Sequence, residues 1–417
     1  MIPCSSKKMV NANVSSVEFS FQGESYRLKI ADHFTDIQSD WQTAQPADNV
    51  FLQGDYLRFL EQYPLEDIQP FYAVIYRSDR PFGVFYFQSM DYQPGKVVGT
   101  SLAKDLPKVI RQVGRKVEQT VLDWMNFQLL ICGNVLLTGS HGFYVDSTEL
   151  EGTDPGFLAE EIVVRMQHLL PQLFDHQVNG FFLKDLPADS TFKPMISDAR
   201  AFNFLPNFFL DLSSEWNDFS HYLGALTSKY RVRARRAFRL AETLARRELN
   251  LAQIKAWNER IYELYREVVG EADYNMAFIP KDYFLGLKET FGSELRLVGY
   301  FEGEELVGFY TTLKNGKELE AHFLGFPADL NRDKQIYLNM LFDIIRDGIR
   351  LKAHRVIFAR TASEIKSSVG AQAENLAGYI CHHRDCSNRI ISWAIDRYNQ
   401  DEPWKPRHPF KAESGAA

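Results

Sequence analysis

Two residues of the 417-residue chain have the types and spacing of a proton-transfer pair: Glu320 and His322, in Glu318-Leu-Glu-Ala-His-Phe-Leu-Gly-Phe326. The run has the composition of a strand, and residues two apart on a strand share a face. A carboxylate or imidazole so placed can strip the proton from an ammonium group, which must be neutral before it attacks an acyl carbon. A surface strand or a mutually satisfied pair would use the same two residues, so the neighbouring elements decide between the readings.

Those elements are legible. Leu306 to Leu313 reads as a strand, Lys314-Asn-Gly-Lys317 as a turn, and a helix is expected from about Asp333 to Ala353, followed by the strand His354 to Thr361. The loop Pro327 to Lys334 offers helix-start amides beside Arg332 and Lys334, an anion cradle by chemistry. A plain helix start capped by Asn331 or Asp333 is the alternative. Arg360 and Thr361 stand at the C-terminal end of the later strand, where they would face a ligand cleft, and Ser363 reads as the N-cap of a further helix.

The second concentration of chemistry is electrostatic. The chain carries a net charge of −7, yet Thr227 to Arg247 holds eight Lys/Arg and one acid. Tyr230, Ala234, Ala237/Phe238, Ala241 and Leu244/Ala245 form an apolar helical stripe. Arg231, Arg235 and Arg239 then project as one row and Lys229, Arg233 and Arg236 as another. Crowded like charges repel, and planar guanidiniums at this spacing suit a diphosphate or a nucleic-acid backbone; a solvated charged face is the plainer reading. One basic band on an acidic body points to a local anionic ligand rather than bulk nucleic-acid affinity.

The order of elements occurs twice. Phe71 to Tyr76 and Phe82 to Phe87 read as a hairpin, a helical insertion is expected at about 100–126, and Phe127 to Leu137, a helix from about Pro155 to His176 and Val178 to Lys184 follow. Glu294 to Phe301 and Leu306 to Tyr310 open the corresponding second half. The expected organisation is an N-terminal domain over 1–185, a proline-punctuated connection over 186–212, a C-terminal domain over 213–400 and a tail over 401–417.

Several classes drop out. The most apolar stretch, Phe127 to Leu137, is interrupted by Gln128 and Asn134 and is too short to span a bilayer. Met1 to Ser16 has no apolar core, so a secretory signal is not expected and a cytoplasmic address follows by default. Cysteines at 4, 132, 381 and 386 are too few for a disulfide framework. Cys381-His-His-Arg-Asp-Cys386 lacks a second ligand pair for a closed zinc site, so no metal is expected. Walker A, G-x-S-x-G and H-E-x-x-H motifs are absent.

The second half resembles the GNAT acyltransferase superfamily, and more closely its tandem branch, the FemAB-like and BioF2-like proteins described as peptidoglycan-biosynthesis related. The residues that carry this are Glu320 to Gly325, Tyr337 to Gly348 and Ala359 to Ala371, with Cys132 to Gly139 and His141-Gly-Phe143 as the matching part of the first half. The likeness covers roughly residues 65 to 400 and implies an α/β chain of two tandem GNAT-like folds with mixed sheets. It implies transfer of an acyl or aminoacyl group from a thioester or tRNA ester to an amine, in cell-envelope precursor or lipid metabolism. Glu320, helped by His322, would be the general base, and backbone groups of the splayed strand would orient the donor carbonyl. Ordinary GNAT enzymes seat the coenzyme A pyrophosphate on a loop of form [QR]-x-x-G-x-[GA], whereas Leu330 to Ile336 has no glycine. Acyl-CoA, an acyl-carrier protein and aminoacyl-tRNA thus all stand as donors, with tRNA or a carrier protein as partner. A Tyr acid commonly follows the next strand in that family; Thr361 and Ser363 stand there instead, which leaves Tyr310 as candidate acid. The rival expectation is a non-catalytic protein of the same fold that grips RNA or an anionic lipid headgroup through the arginine-rich helix.

Overall fold

The computed structural model describes residues 14–92, 127–150, 154–187, 199–203, 205–270, 277–385, 387–389, 391 and 404–411. The expected helical insertion at about 100–126, Cys4 and Cys386 lie outside them. Two compact units result, Met1–Phe204 with Asp273–Ile279 and Leu376–Asp401, and Leu205–Ala272 with Pro280–Asn375 and Glu402–Ala417.

The first unit is built on a sheet of nine described strands. β1 (Val14–Phe21) and β2 (Glu24–Ala31) form a hairpin, α1 (Gln38–Ala44) and α2 (Gly54–Gln62) lead to β3 (Ile68–Arg77), and β3 turns directly into β4 (Arg80–Tyr92). β5 (Phe127–Cys132) pairs antiparallel with β4, as does the short β6 (Phe143–Val145). Helix α3 (Pro155–Leu173) returns the chain to β7 (Gly180–Pro187), parallel to β5. β8 (Arg200–Asn203) is separated from β7 by a strand from far along the chain, Leu376–His382.

β3 and β4 read as unbroken apolar runs because both faces are covered. Phe71, Ala73, Ile75, Phe85 and Phe87 pack with Leu158, Ile162, Met166 and Leu170 of α3. Tyr72, on the other face, meets the rings of Phe34 and Trp41 edge-on. The strand expected to reach Leu137 stops at Cys132, because Gly133 takes φ +143° and turns the chain.

The second unit begins with β9 (Asn207–Asp211), α4 (Phe219–Ala225), the basic α5 (Ser228–Leu240), β10 (Leu244–Glu248), α6 (Leu251–Gly270) and α7 (Tyr283–Phe291). A meander follows, β11 (Leu295–Glu302), β12 (Glu305–Asn315) and β13 (Glu318–Gly325), then α8 (Ala328–Lys334), α9 (Ile336–Arg350), β14 (Arg355–Ala359), α10 (Ser363–Ser368) and β15 (Gln372–Glu374). The strand Leu376–His382 is β16. The sheet runs β10-β11-β12-β13-β14-β9-β15, and only β13 and β14 lie parallel.

Two expectations change here. The helix expected over 333–353 is α8 and α9, broken where Gln335 sits at φ +50°. The basic helix ends at Leu240, and Leu244 and Ala245 open β10, so Arg246 and Arg247 belong to a strand. Val298, Tyr300, Tyr310, Leu319 and Val356 pack on the α9 side of the sheet with Ile336, Met340, Leu341 and Ile344. Phe309 turns the other way, to Phe284 of α7.

Gly325 ends β13 against the backbone of α6: a Cβ there would lie 2.5 Å from Leu264 C and 2.6 Å from Tyr265 N. Backbone cannot step aside as a side-chain tip can, so Gly325→Ala should cost about 2–3 kcal/mol in urea unfolding. Gly224→Ala, with open space around its Cβ inside α4, should match or slightly exceed wild type.

Candidate functional site

β13 and β14 stay together for only three positions, Glu318↔Arg355, Leu319↔Val356 and Glu320↔Ile357. Beyond Glu320, β13 continues on β12 alone, through an irregularity between Tyr310 and Thr312. There the Thr311 hydroxyl accepts from Phe323 N and donates to Phe323 O, both at 2.9 Å, replacing ladder bonds that the bulge removes. Among the described residues the β14-facing edge of Ala321 to Gly325 has no strand partner, so the pair opens as a fork. On the other prong Ala359, Thr361 and Ala362 all take positive φ, +56°, +70° and +50°. Such geometry costs about 1–2 kcal/mol per non-glycine residue and has to be held in place. Lys366 supplies part of the hold: its Nζ donates to Ala359 O at 3.1 Å and to Arg360 O.

Glu320 occupies the last paired position, 7% exposed, and accepts from Asn315 Nδ2 at 3.1 Å. Burial pushes its carboxyl up to about 8; the Asn315 hydrogen bond opposes this and the charge of Glu318 adds to it. Two residues on, His322 shares a 2.8 Å hydrogen bond with Tyr283 OH through Nε2 and packs on the rings of Tyr283 and Phe323. Burial pulls its imidazole down to about 3, so it is neutral at physiological pH.

Tyr310 lies on the opposite face. Its hydroxyl donates to Asp347 Oδ2 at 2.7 Å and accepts from Arg246. Burial and then the Asp347 charge push the phenol well above its ordinary value. Arg246 Nη2 also bonds Asp347 at 2.7 Å, Arg296 joins the same carboxylate, and Tyr300 donates to Asp343. Asn339, Asp343 and Asp347, each four residues on, form one buried polar row on α9, and Asn339 Nδ2 reaches Ala237 O at 3.0 Å. This row, Arg246, Arg296 and Lys366 were not singled out from sequence. Polar residues at spacing four within an apolar helix were a usable signal; for Lys366 there was none.

The cations divide into two groups. Helix α5 is seated by buried Ala234 and Ala237 and by Phe238 on Phe342, ring centroids 5.2 Å apart. Lys229, Arg233, Arg235, Arg236 and Arg239 are exposed and Arg231 partly so. No ion pair joins these arginines to an acid among the described residues, and Val232 stands 65% exposed between them. Arg332 instead pairs with Asp329, and Lys334 with Glu302 and with Thr243 Oγ1 at 2.6 Å. Asn331 Oδ1 accepts from Tyr337 N at 3.1 Å, capping α9 from inside the chain. At the α8–α9 junction the chain itself thus answers the Tyr337 amide and both cations. Arg360 donates to Leu205 O at 2.9 Å, Thr361 is exposed at the end of β14, and Ser363 is the first residue of α10 after Ala362 rather than its cap.

No protein-family model matches the chain, and no curated protein matches it in sequence. Among solved structures it is similar to FemX, at TM-score 0.49 and 9% identity over 86% of this chain and 99% of that one. It is also similar to a tandem GNAT protein from the clavulanic acid biosynthesis pathway, at 0.45 and 10% over 88% and 98%. A third is the C-terminal DUF2156 domain of a putative lysylphosphatidylglycerol synthetase from Agrobacterium fabrum, at 0.44 and 9% over 87% and 96%. The chain's own topology, twice a meander followed by a parallel pair bridged by a long helix, is that of two tandem GNAT-like folds.

The titration of Glu320 can be read from stability. A carboxyl near 8 when folded and 4.5 when free binds its proton more tightly in the folded state. The stability it lends is full below the lower value and is lost as pH rises through the higher one. Glu320→Gln stays neutral throughout, so it should gain on wild type by a few kcal/mol between about pH 5 and pH 9 in urea unfolding. A gap that does not widen with pH would mean a solvated carboxylate.

Proposed function

We propose that the second unit is an N-acyltransferase with Glu320 as general base, and the observation that carries this is the place of Glu320 at the root of the β13–β14 fork. The ammonium acceptor gives one proton to the Glu320 carboxylate, and its nitrogen attacks the donor's acyl carbon. The C–N bond forms, the C–S or C–O bond breaks, the proton held by Glu320 passes to the leaving group, and the second proton that the nitrogen sheds on becoming an amide leaves to solvent, so Glu320 ends as the carboxylate. A carboxyl near 8 is well matched to both transfers, because a leaving thiol titrates near 8.5. His322, neutral and fixed by Tyr283, orients the acceptor on the same face. Beyond Glu320 the edge of β13 that faces β14, which has no paired strand among the described residues, offers strand-type hydrogen bonds to an extended donor arm. Tyr310 is committed to Arg246 and Asp347 and has no part in the transfer.

The α8–α9 start supports a donor other than ordinary coenzyme A, since Asn331 already takes the Tyr337 amide and Arg332 and Lys334 are paired with Asp329 and Glu302. Aminoacyl-tRNA and an acyl-carrier protein are the donors this favours, with the phosphates on the cationic face of α5. Acyl-CoA is the control.

A donor at about 100 times its dissociation constant should add roughly 2.7 kcal/mol to the stability of the purified chain. Aminoacyl-tRNA or a carrier-protein thioester should give that shift, and Glu320→Gln should keep it while losing turnover by about 10²-fold or more. Turnover in wild type should rise with pH up to about 8, as the carboxylate is released. Undiminished activity in Glu320→Gln would remove the base assignment.

A second reading rests on the six cations of α5: a fold-sharing protein that holds RNA or an anionic lipid headgroup without chemistry. Arg233→Glu/Arg235→Glu/Arg236→Glu should weaken tRNA binding and flatten its salt dependence, by about 0.7 in log–log slope for each phosphate no longer neutralised. Binding with an unchanged slope would take α5 out of both readings.

A further inference from the structure

The first unit holds a cavity of about 220 Å³ between α2 and the start of the β3–β4 pair, walled by Asp32, His33, Glu61, Ile68, Tyr86 and Gln88 among others. Its lining contains two carboxylates and neither Lys nor Arg. Two polar groups in it are left over once the internal hydrogen bonds are assigned. Gln88, 1% exposed, accepts from Val135 N at 2.7 Å through Oε1, which aims its Nε2 at the Tyr86 oxygen at 3.0 Å. The Tyr86 oxygen thereby has its donor, and its own O–H has no acceptor among the described residues although the side chain is 1% exposed. Asp32 Oδ1 is buried with no hydrogen-bond partner among the described residues. Glu61 Oε1, by contrast, is engaged by Phe34 N at 2.7 Å.

A buried acceptor without a donor and a buried donor without an acceptor are each destabilising if nothing meets them. The pair of vacancies, with the excess negative charge, defines the complement: a cation that donates to Asp32 and carries an oxygen that accepts from Tyr86. The volume is below the range of about 300–1,000 Å³ used by larger ligands, which restricts the occupant to roughly ten heavy atoms or fewer. We propose that this cavity binds a small primary ammonium compound with a neighbouring hydroxyl or carbonyl oxygen, of the amino-alcohol or amino-acid-amide class. The site lies wholly within the first unit and does not depend on acyl transfer in the second.

Isothermal titration of the full-length protein with ethanolamine tests this, with ethylamine, ethylene glycol and acetate as comparisons. One saturable site for ethanolamine is expected, with ethylamine weaker and ethylene glycol and acetate silent. Asp32→Asn should weaken ethanolamine by about tenfold or more, which is 1.4 kcal/mol. Tyr86→Phe should erase the preference for ethanolamine over ethylamine while leaving ethylamine binding in place. The proposal is overturned by no saturable heat up to about 10 mM ethanolamine, roughly tenfold above a millimolar dissociation constant. It is equally overturned by ethylene glycol binding as tightly, the behaviour of a water-filled polar cavity, or by unchanged affinity in an Asp32→Asn protein with a wild-type urea midpoint.

Discussion

The parting of β13 from β14 after three paired residues organises the second unit. Backbone groups that lose a ladder partner inside a protein must be met elsewhere or be offered to a ligand. The chain meets some of them with side chains: Thr311 binds both polar groups of Phe323 on one prong, and Lys366 takes Ala359 O and Arg360 O on the other. Burial lowers the Lys366 ammonium to about 7, a displacement worth roughly 5 kcal/mol against its charged form. Committing a buried lysine to two carbonyls makes sense only if the left-handed turn from Ala359 to Ala362 has to be kept in one place.

The same division into faces explains why the charged residues do different jobs. On the α9 side, Arg246 and Arg296 meet Asp347, with Asp343 alongside, so the buried charges compensate one another and lock α9 to β10, β11 and β12. Taking one member away would leave a partner buried and unpaired, which is far costlier than the net worth of the network. On the α6–α7 side, Glu320 meets no cation among the described residues, only the Asn315 amide and the like charge of Glu318, and its burial is compensated by protonation instead. A carboxyl with an ion-pair partner would be held low and would be a poor proton acceptor for an amine; isolation behind Asn315 is what sets it near 8.

Much of this was legible in the sequence. The meander, the turn at Lys314 to Lys317 and the two strands around Glu320 follow from period-two patterning, and the shared face of Glu320 and His322 follows from their spacing. The cationic face of α5 was legible for the same reason, since Ala234 and Ala237 mark the only side that can pack. Less visible were features set by distant partners. Gln335, a residue with no breaker chemistry, interrupts the long helix, and Tyr310 looks as free as any strand tyrosine until Arg246 arrives from β10. Strands β9 and β16 take equivalent places, antiparallel beside β14 and β7, and no local pattern says which sheet a strand will join.

The contrast between the α8–α9 junction and α5 bears on what the protein can hold. Both present cations near a helix, but at the junction Asp329 and Glu302 have already answered the cations and Asn331 the Tyr337 amide, so an incoming anion would compete with existing pairs. Along α5 no acid among the described residues answers, and the self-repulsion of six charges persists until an anion arrives. A ligand there gains relief of repulsion as well as direct attraction, and it gains it from several phosphates spread over a helix nearly four turns long. A single diphosphate could engage only part of that surface, whereas a polyanion could engage all of it, so the electrostatics of α5 favour a polyanion over a single diphosphate.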